Sequence, residues 1–181
     1  MMIFEKWIYE YCSGSRMPKE FREEASDYFQ KVYKKANDNS DLCSLLKTNE
    51  YIYRVQSFDV DTRKMIEFDD LYYSFSNDIN GLYEVVRKDK YLKTNIVLIM
   101  AIPKEPINMN ELLNLYYDDY RSRYTKENEI VSKMDMENVI GIWFLKNASD
   151  LLSYDQKGVR IDLRDISFSY KKITKKYKIS N

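Results

Sequence analysis

The chain has 181 residues, 44% of them hydrophobic, which is enough for one domain with a sizeable core and too many for a largely disordered chain. Its 29 Lys and Arg balance 29 Asp and Glu, so it shows neither the basic excess of a dedicated nucleic-acid binder nor the acidic excess of a DNA mimic. Histidine is absent, which excludes His-based triads, His general bases and His metal sites.

Ile3, Phe4, Trp7, Ile8, Tyr11 and Cys12 fall at helical spacing and predict an amphipathic helix, stopped by Ser13-Gly14-Ser15. Pro18 stands at the expected first position of a second helix, whose buried face carries Phe21, Ala25, Tyr28, Phe29, Val32 and Tyr33. Ser40 is a candidate N-cap for a short third helix through Lys47. Cys12 and Cys43 lack metal-ligand spacing and read as thiols of a reducing compartment, with Cys43 expected to be buried.

The period then changes. Tyr51–Phe58 alternates and is rich in β-formers, and Leu71–Ser76 reads as a second strand. Asn77 and Asp78 are candidate caps for a helix over Ile79–Arg87, with Gly81 as its weak point. Ile96–Ile102 reads as a central strand closed by Pro103 and Pro106. Asn110 is the candidate cap of a helix over Glu111–Tyr117, which fades into a charged loop, Asp118–Lys126. Further strands are expected at Glu129–Val131, Val139–Leu145, Gly158–Leu163 and Ile166–Tyr170, before a solvated, Lys-rich end from Lys171 to Lys178. A helical lobe over 1–48 ahead of a strand-rich portion over 50–170 predicts one α+β domain spanning 1–181. The start has no basic flank or apolar core of a signal peptide, and Ile96–Ile102 is too short to span a bilayer. The expected location is therefore cytoplasmic, with no membrane partner.

Three polar features interrupt these patterns. Arg54 lies inside the first strand, and Ser74-Phe75-Ser76 ends the second, just ahead of a helix. Glu127 and Glu129 open a late strand, where alternation sends both carboxylates to one side. Like charges held that close raise one carboxyl pKa, which suits proton-handling chemistry. Each feature also has an ordinary reading: an edge arginine, serines facing outward around Phe75, and an acidic pair on a solvated loop. No one of them is specific.

In this order, the three features resemble the mono-ADP-ribosyltransferases of the arginine–serine–glutamate type, the family of the cholera-like and clostridial toxins and of phage transferases that modify host proteins. Tyr53-Arg54 resembles the aromatic-Arg step of the family's first strand, and Tyr73-Ser-Phe-Ser76 resembles its Ser-Thr-Ser strand. Ile96–Ala101 is similar to the core strand that follows. Glu127-Asn-Glu-Ile-Val131 is similar to the Glu-x-Glu segment, and Val139-Ile-Gly-Ile142 to the returning strand. The resemblance spans Glu50 to Leu145.

It implies an ADP-ribosyltransferase-like fold of two packed small sheets, NAD as substrate, and no metal. Glu129 would bind a ribose hydroxyl and stabilise the oxocarbenium-like charge that forms as nicotinamide leaves. Glu127 would orient and help deprotonate the acceptor, which by the family pattern is an arginine on a protein; a nucleic acid acceptor also stays open. Arg54 would hold NAD through phosphate or ribose oxygens, using a fork of donors that Lys cannot copy. Ser74 would hydrogen-bond Glu129, and Ser76 would support the strand. Tyr117, Tyr120 and Tyr124 fall where the family keeps its target-recognition turn. Val55 stands where the family often has Gly, and Phe75 where it has Thr. The missing histidine sets the chain apart from the His-Tyr-Glu branch. The alternatives are a non-enzymatic protein that binds and blocks a host factor, and an NAD glycohydrolase in which water is the acceptor.

Overall fold

Apolar residues at helical spacing hold the first part of the chain against one face of a sheet. The computed structural model describes residues 3–7, 17–57, 68–88, 92, 94–116, 127–147, 151 and 172–173. Within them α1 (Ile3–Lys6) and α2 (Lys19–Asn37) precede a short 3-10 helix, Ser40–Leu46. Pro18, expected at the first helical position, is instead the N-cap of α2, one place before its first helical residue, Lys19. Its missing N–H is tolerated there, because the opening donors of a helix have no intrahelical acceptor. Asn39, not Ser40, caps the 3-10 helix: extended at φ −132°, it accepts from the Asp41 N–H at 3.0 Å.

Phe21, Ala25 and Phe29 of α2 are buried with Phe4, Trp7 and Leu45 against Tyr72, Ile107, Leu112 and Val131. Each large apolar side chain so buried contributes about 1.5–3 kcal/mol. Cys43 is exposed, contrary to expectation. The three-residue period of the 3-10 helix turns Leu42 and Leu45 toward this cluster and leaves the next position, Cys43, outside. Cys12 and the Ser13-Gly14-Ser15 stop lie outside the described residues.

The strands are β1 (Ile52–Ser57), β2 (Asp69–Ser76), β3 (Thr94–Ala101), β4 (Lys104–Asn108), β5 (Glu129–Asp135), β6 (Val139–Asn147) and β7 (Lys172–Ile173). They form one antiparallel sheet in the order β4-β5-β2-β1-β3-β6-β7, and with the helices they give a mixed α+β fold. Where a pair of small sheets was expected, hydrogen bonding is continuous, but it thins at one seam. β1 pairs with β3 along its whole length, yet meets β2 only at Tyr53 opposite Ser76.

The sheet has apolar packing on both faces. Ile52, Phe75, Val97, Ile99, Ile130, Met134 and Ile142 form one cluster. Leu82 and Val86 of α3 (Ile79–Lys88) form another with Val55, Ile96 and Leu98. The apolar run in β3 is explained by this double burial.

β4 departs from the sequence reading, since Pro106 lies inside a strand and does not close one. The sheet order puts β4 at an edge, where an absent N–H leaves no partner unsatisfied. The register slips between Lys104 and Ile107, and there the buried Ser132 hydroxyl accepts from the Lys104 N–H at 2.9 Å and donates to its carbonyl at 2.8 Å. α4 (Met109–Tyr116) is capped by Asn108 and not Asn110, because Asn108 Oδ1 accepts from the N–H groups of Asn110 (3.1 Å) and Glu111 (3.3 Å). The Lys-rich end is not wholly a free tail, because Lys172 and Ile173 pair with Trp143 and Ile142. The strands expected at Gly158–Leu163 and Ile166–Tyr170 lie outside the described residues. Among the described residues, no helix is long and apolar enough to cross a membrane.

Candidate functional site

The seam between β1 and β2 gathers the polar residues that interrupt the strand patterns. Ser76, buried, stands opposite Tyr53 on one side and Glu129 on the other. Two residues earlier on the same face of β2, Ser74 joins both flanking strands. Its hydroxyl favours the charged form of the Glu129 carboxylate, and its backbone carbonyl accepts from Arg54 Nη1 at 2.7 Å. Arg54 Nε reaches Gln56 Oε1 only at 3.5 Å, a weak contact. Arg54 and Glu129 are both partly exposed, although protein surrounds their charged ends.

That surrounding sets the electrostatics. Burial pushes the Glu129 carboxyl above the ordinary carboxylate range; the Ser74 hydroxyl opposes the rise, Glu127 adds to it, and the Trp7 indole and Arg54 oppose it. Burial also lowers Arg54, with Tyr73 and Glu129 working against the shift and Arg22 in its favour. The guanidinium carbons of Arg22 and Arg54 lie 5.3 and 6.0 Å from the centroid of the Tyr73 ring, within the range of cation–π attraction. The Tyr73 hydroxyl donates to Asp69. Among the described residues neither arginine forms an ion pair, so two positive charges face one ring without a carboxylate bound to either.

The turn carrying Glu127 is held tightly. Asn128 sits at φ 47°, a left-handed conformation that Asn adopts more readily than most residues. Its Nδ2 donates to Asp78 Oδ2 at 2.7 Å, and its carbonyl accepts from the Asn77 N–H at 2.8 Å. Asp78 also caps α3, where its Oδ1 accepts from the Gly81 N–H at 2.7 Å. Gly81 allows a close approach: a Cβ there would stand 2.2 Å from the Glu127 carbonyl oxygen. Asn110 Nδ2 reaches Asn128 Oδ1 at 3.4 Å, and its own Oδ1 is buried without a donor among the described residues. Asn77 Oδ1 accepts from Thr48 Oγ1 at 2.9 Å and from the Asn49 N–H at 2.7 Å, tying the entry to β1 onto the end of β2.

Arg54, Ser74, Ser76 and Glu129 thus share one patch, with Glu127 on the turn that leads into it. Tyr117, Tyr120 and Tyr124 lie outside the described residues. Val55 is buried beneath α3, so its side chain packs into the core. Sequence reasoning missed Trp7 as a site residue. Its indole N–H lies 3.4 Å from Glu129 Oε1. The stripe at Phe4 and Trp7 reads as core, and Trp7 is core as well. A buried indole also needs an acceptor for its N–H, which was the available signal. Arg22 and the Asp78–Asn128 link gave no signal, because each depends on contacts distant in sequence. No group of residues that could hold a metal ion occurs among the described residues.

No protein-family model matches this sequence, and neither does any curated protein.

Proposed function

We propose that the chain is a mono-ADP-ribosyltransferase of the arginine–serine–glutamate type, with an ADP-ribosyltransferase-like fold, moving ADP-ribose from NAD to an arginine of a protein acceptor. One observation carries this reading: residues of three strands meet at Ser74, whose carbonyl accepts from Arg54 at 2.7 Å and whose hydroxyl favours the charged form of Glu129. A lone edge arginine or an acidic pair on a solvated loop would not meet in this way. The two arginines around Tyr73 give the positive field that a diphosphate needs. Val55, turned into the core, does not obstruct that field with its side chain.

In this reaction the ribose–nicotinamide C–N bond breaks and both electrons leave on the nicotinamide. The ribose carbon carries the positive charge, which Glu129 stabilises while accepting a ribose hydroxyl. The acceptor nitrogen forms the new C–N bond and gives up a proton to Glu127. Arg54 holds the phosphate or ribose oxygens, and Ser74 keeps Glu129 oriented.

The test is incubation of the purified protein with NAD labelled in its ADP-ribose half, with and without cell lysate. Label moves to protein, and Glu129→Gln lowers the rate by roughly 100-fold or more, the usual effect of removing one electrostatic stabiliser. Label moving to nucleic acid would change the acceptor and keep the reaction. Nicotinamide released equally fast without lysate would make the protein a glycohydrolase. No transfer, no nicotinamide and no NAD-dependent thermal shift would sink the enzymatic reading and leave a protein that binds a host factor.

A further inference from the structure

We propose that Trp7 is a positioning residue for Glu129, so that the N-terminal segment forms part of the site and does more than pack behind it. The inference rests on the role given to Glu129 above. Trp7 immediately follows α1 and is 5% exposed. Its ring stands edge-on to Phe29 of α2, with centroids 4.9 Å apart and planes at 82°. Packing therefore fixes the indole from behind, and its N–H points at Glu129 Oε1 at 3.4 Å.

The indole supplies what the strands do not. β2 offers Glu129 the Ser74 hydroxyl, β1 offers the Arg54 charge, and the preceding turn sets Glu127 against it. Among the described residues, the Ser74 hydroxyl and the Trp7 indole both favour the charged carboxylate, and they come from different parts of the architecture: a strand and the helical lobe. A carboxylate held by donors on two sides keeps one rotamer, and the donors oppose the effect of burial by favouring its charged form, which is what stabilising a developing cation requires. An indole N–H cannot accept a proton, so Trp7 orients the carboxylate without competing for the proton that the acceptor loses. Phenylalanine would fill nearly the same volume and leave Glu129 with a single hydrogen-bond donor, which makes Trp7→Phe the informative substitution.

The experiment follows the Glu129 carboxyl directly, by NMR of the full chain with isotope-labelled glutamate, assigned with Glu129→Gln. NAD cleavage is followed across pH in parallel. Because the Trp7 hydrogen bond favours the charged form, Trp7→Phe lets Glu129 keep its proton to higher pH. The titration and the acid limb of the activity profile both move upward. kcat near neutral pH falls roughly three- to tenfold, the worth of one hydrogen bond, and the KM for NAD changes little. Val32→Ala, which thins the same apolar cluster, lowers the melting temperature and leaves the Glu129 titration in place. An unmoved titration in Trp7→Phe, even with a lower melting temperature, would overturn the proposal and return Trp7 to packing alone. A titration that moves in a protein unable to cleave NAD would keep the Trp7–Glu129 clamp and remove the transferase reading.

Discussion

Gly81→Ala is the most informative single change outside the charged residues. In an exposed helix interior it would be favourable by about 1 kcal/mol, since Ala has the higher helix propensity and a less flexible unfolded chain. Here the added methyl would sit 2.2 Å from the Glu127 carbonyl oxygen, 2.7 Å from its carbon and 3.2 Å from Asn128 Cβ. Ordinary contact begins at 3.4 Å, so the carbonyl must retreat by about 1.2 Å. The obstacle is backbone, and it cannot turn aside as the end of a side chain could. The Asn128 hydrogen bonds to Asp78 and Asn77 hold it in place. Overpacking of this kind costs about 3 kcal/mol at the upper end of the usual range, which leaves a net loss of about 2 kcal/mol after the helix gain. For a chain of this size that lowers the melting temperature by about 4–8 °C. On the proposed function, activity should suffer more, because a shift of about 1 Å in a carboxylate that acts on the acceptor costs on the order of 100-fold. Thermal denaturation and the labelled-NAD assay measure the two effects separately. A Gly81→Ala protein as stable and as active as the parent would refute the claim that α3 and the Glu127 turn are locked together by close approach.

Other changes probe the site and its support. Glu129→Gln should melt at a higher temperature than the parent near neutral pH, with the difference closing in acid. Burial raises the Glu129 pKa, so the folded protein favours the protonated form, and the stability tied to it is lost as pH rises through the folded-state value. A melting difference that does not change with pH would contradict that sign. Arg54→Lys keeps the charge but loses the planar fork that reaches the Ser74 carbonyl at 2.7 Å. On the proposed function, NAD affinity, read by calorimetry, should fall roughly tenfold or more, and an unchanged affinity would remove Arg54 from the proposed site. Ser26→Ala leaves the buried Tyr72 N–H without its acceptor, now Ser26 Oγ at 2.9 Å. It should destabilise the fold by about 1–3 kcal/mol in denaturant titration without altering kcat.

What was legible in the sequence was what local pattern encodes. The alternation in Ile52–Ser57, the apolar run in Thr94–Ala101 and the Asp78 cap each fix an element through neighbours close in the chain. The misses follow the same logic in reverse. Pro106 argues against a strand unless the strand lies at a sheet edge, and edge position is a property of the whole topology. Asn108 outcompetes Asn110 as a cap because β4 leads straight into α4, leaving no loop in which a later cap could act. Gly81 looked like a flaw in a helix because the Glu127 backbone that requires it lies 46 positions further on. The Trp7 contact with Glu129 crosses 122 positions.

An arginine in the middle of a strand is hard to place in a fully paired sheet with apolar clusters on its faces, because its charge would lose water and gain no carboxylate. Arg54 is accommodated because β1 and β2 meet at Tyr53 and Ser76 alone, which leaves the Ser74 carbonyl open to its guanidinium. Full pairing of β1 with β2 would steady the sheet and close that opening. It would also place a strand N–H where Nη1 now sits, and would separate Arg54 from the serine that binds Glu129. The weak point of the sheet and the meeting of guanidinium, hydroxyl and carboxylate are therefore one structural fact. If the proposed function holds, a variant that tightens the seam should become more stable as its affinity for NAD falls.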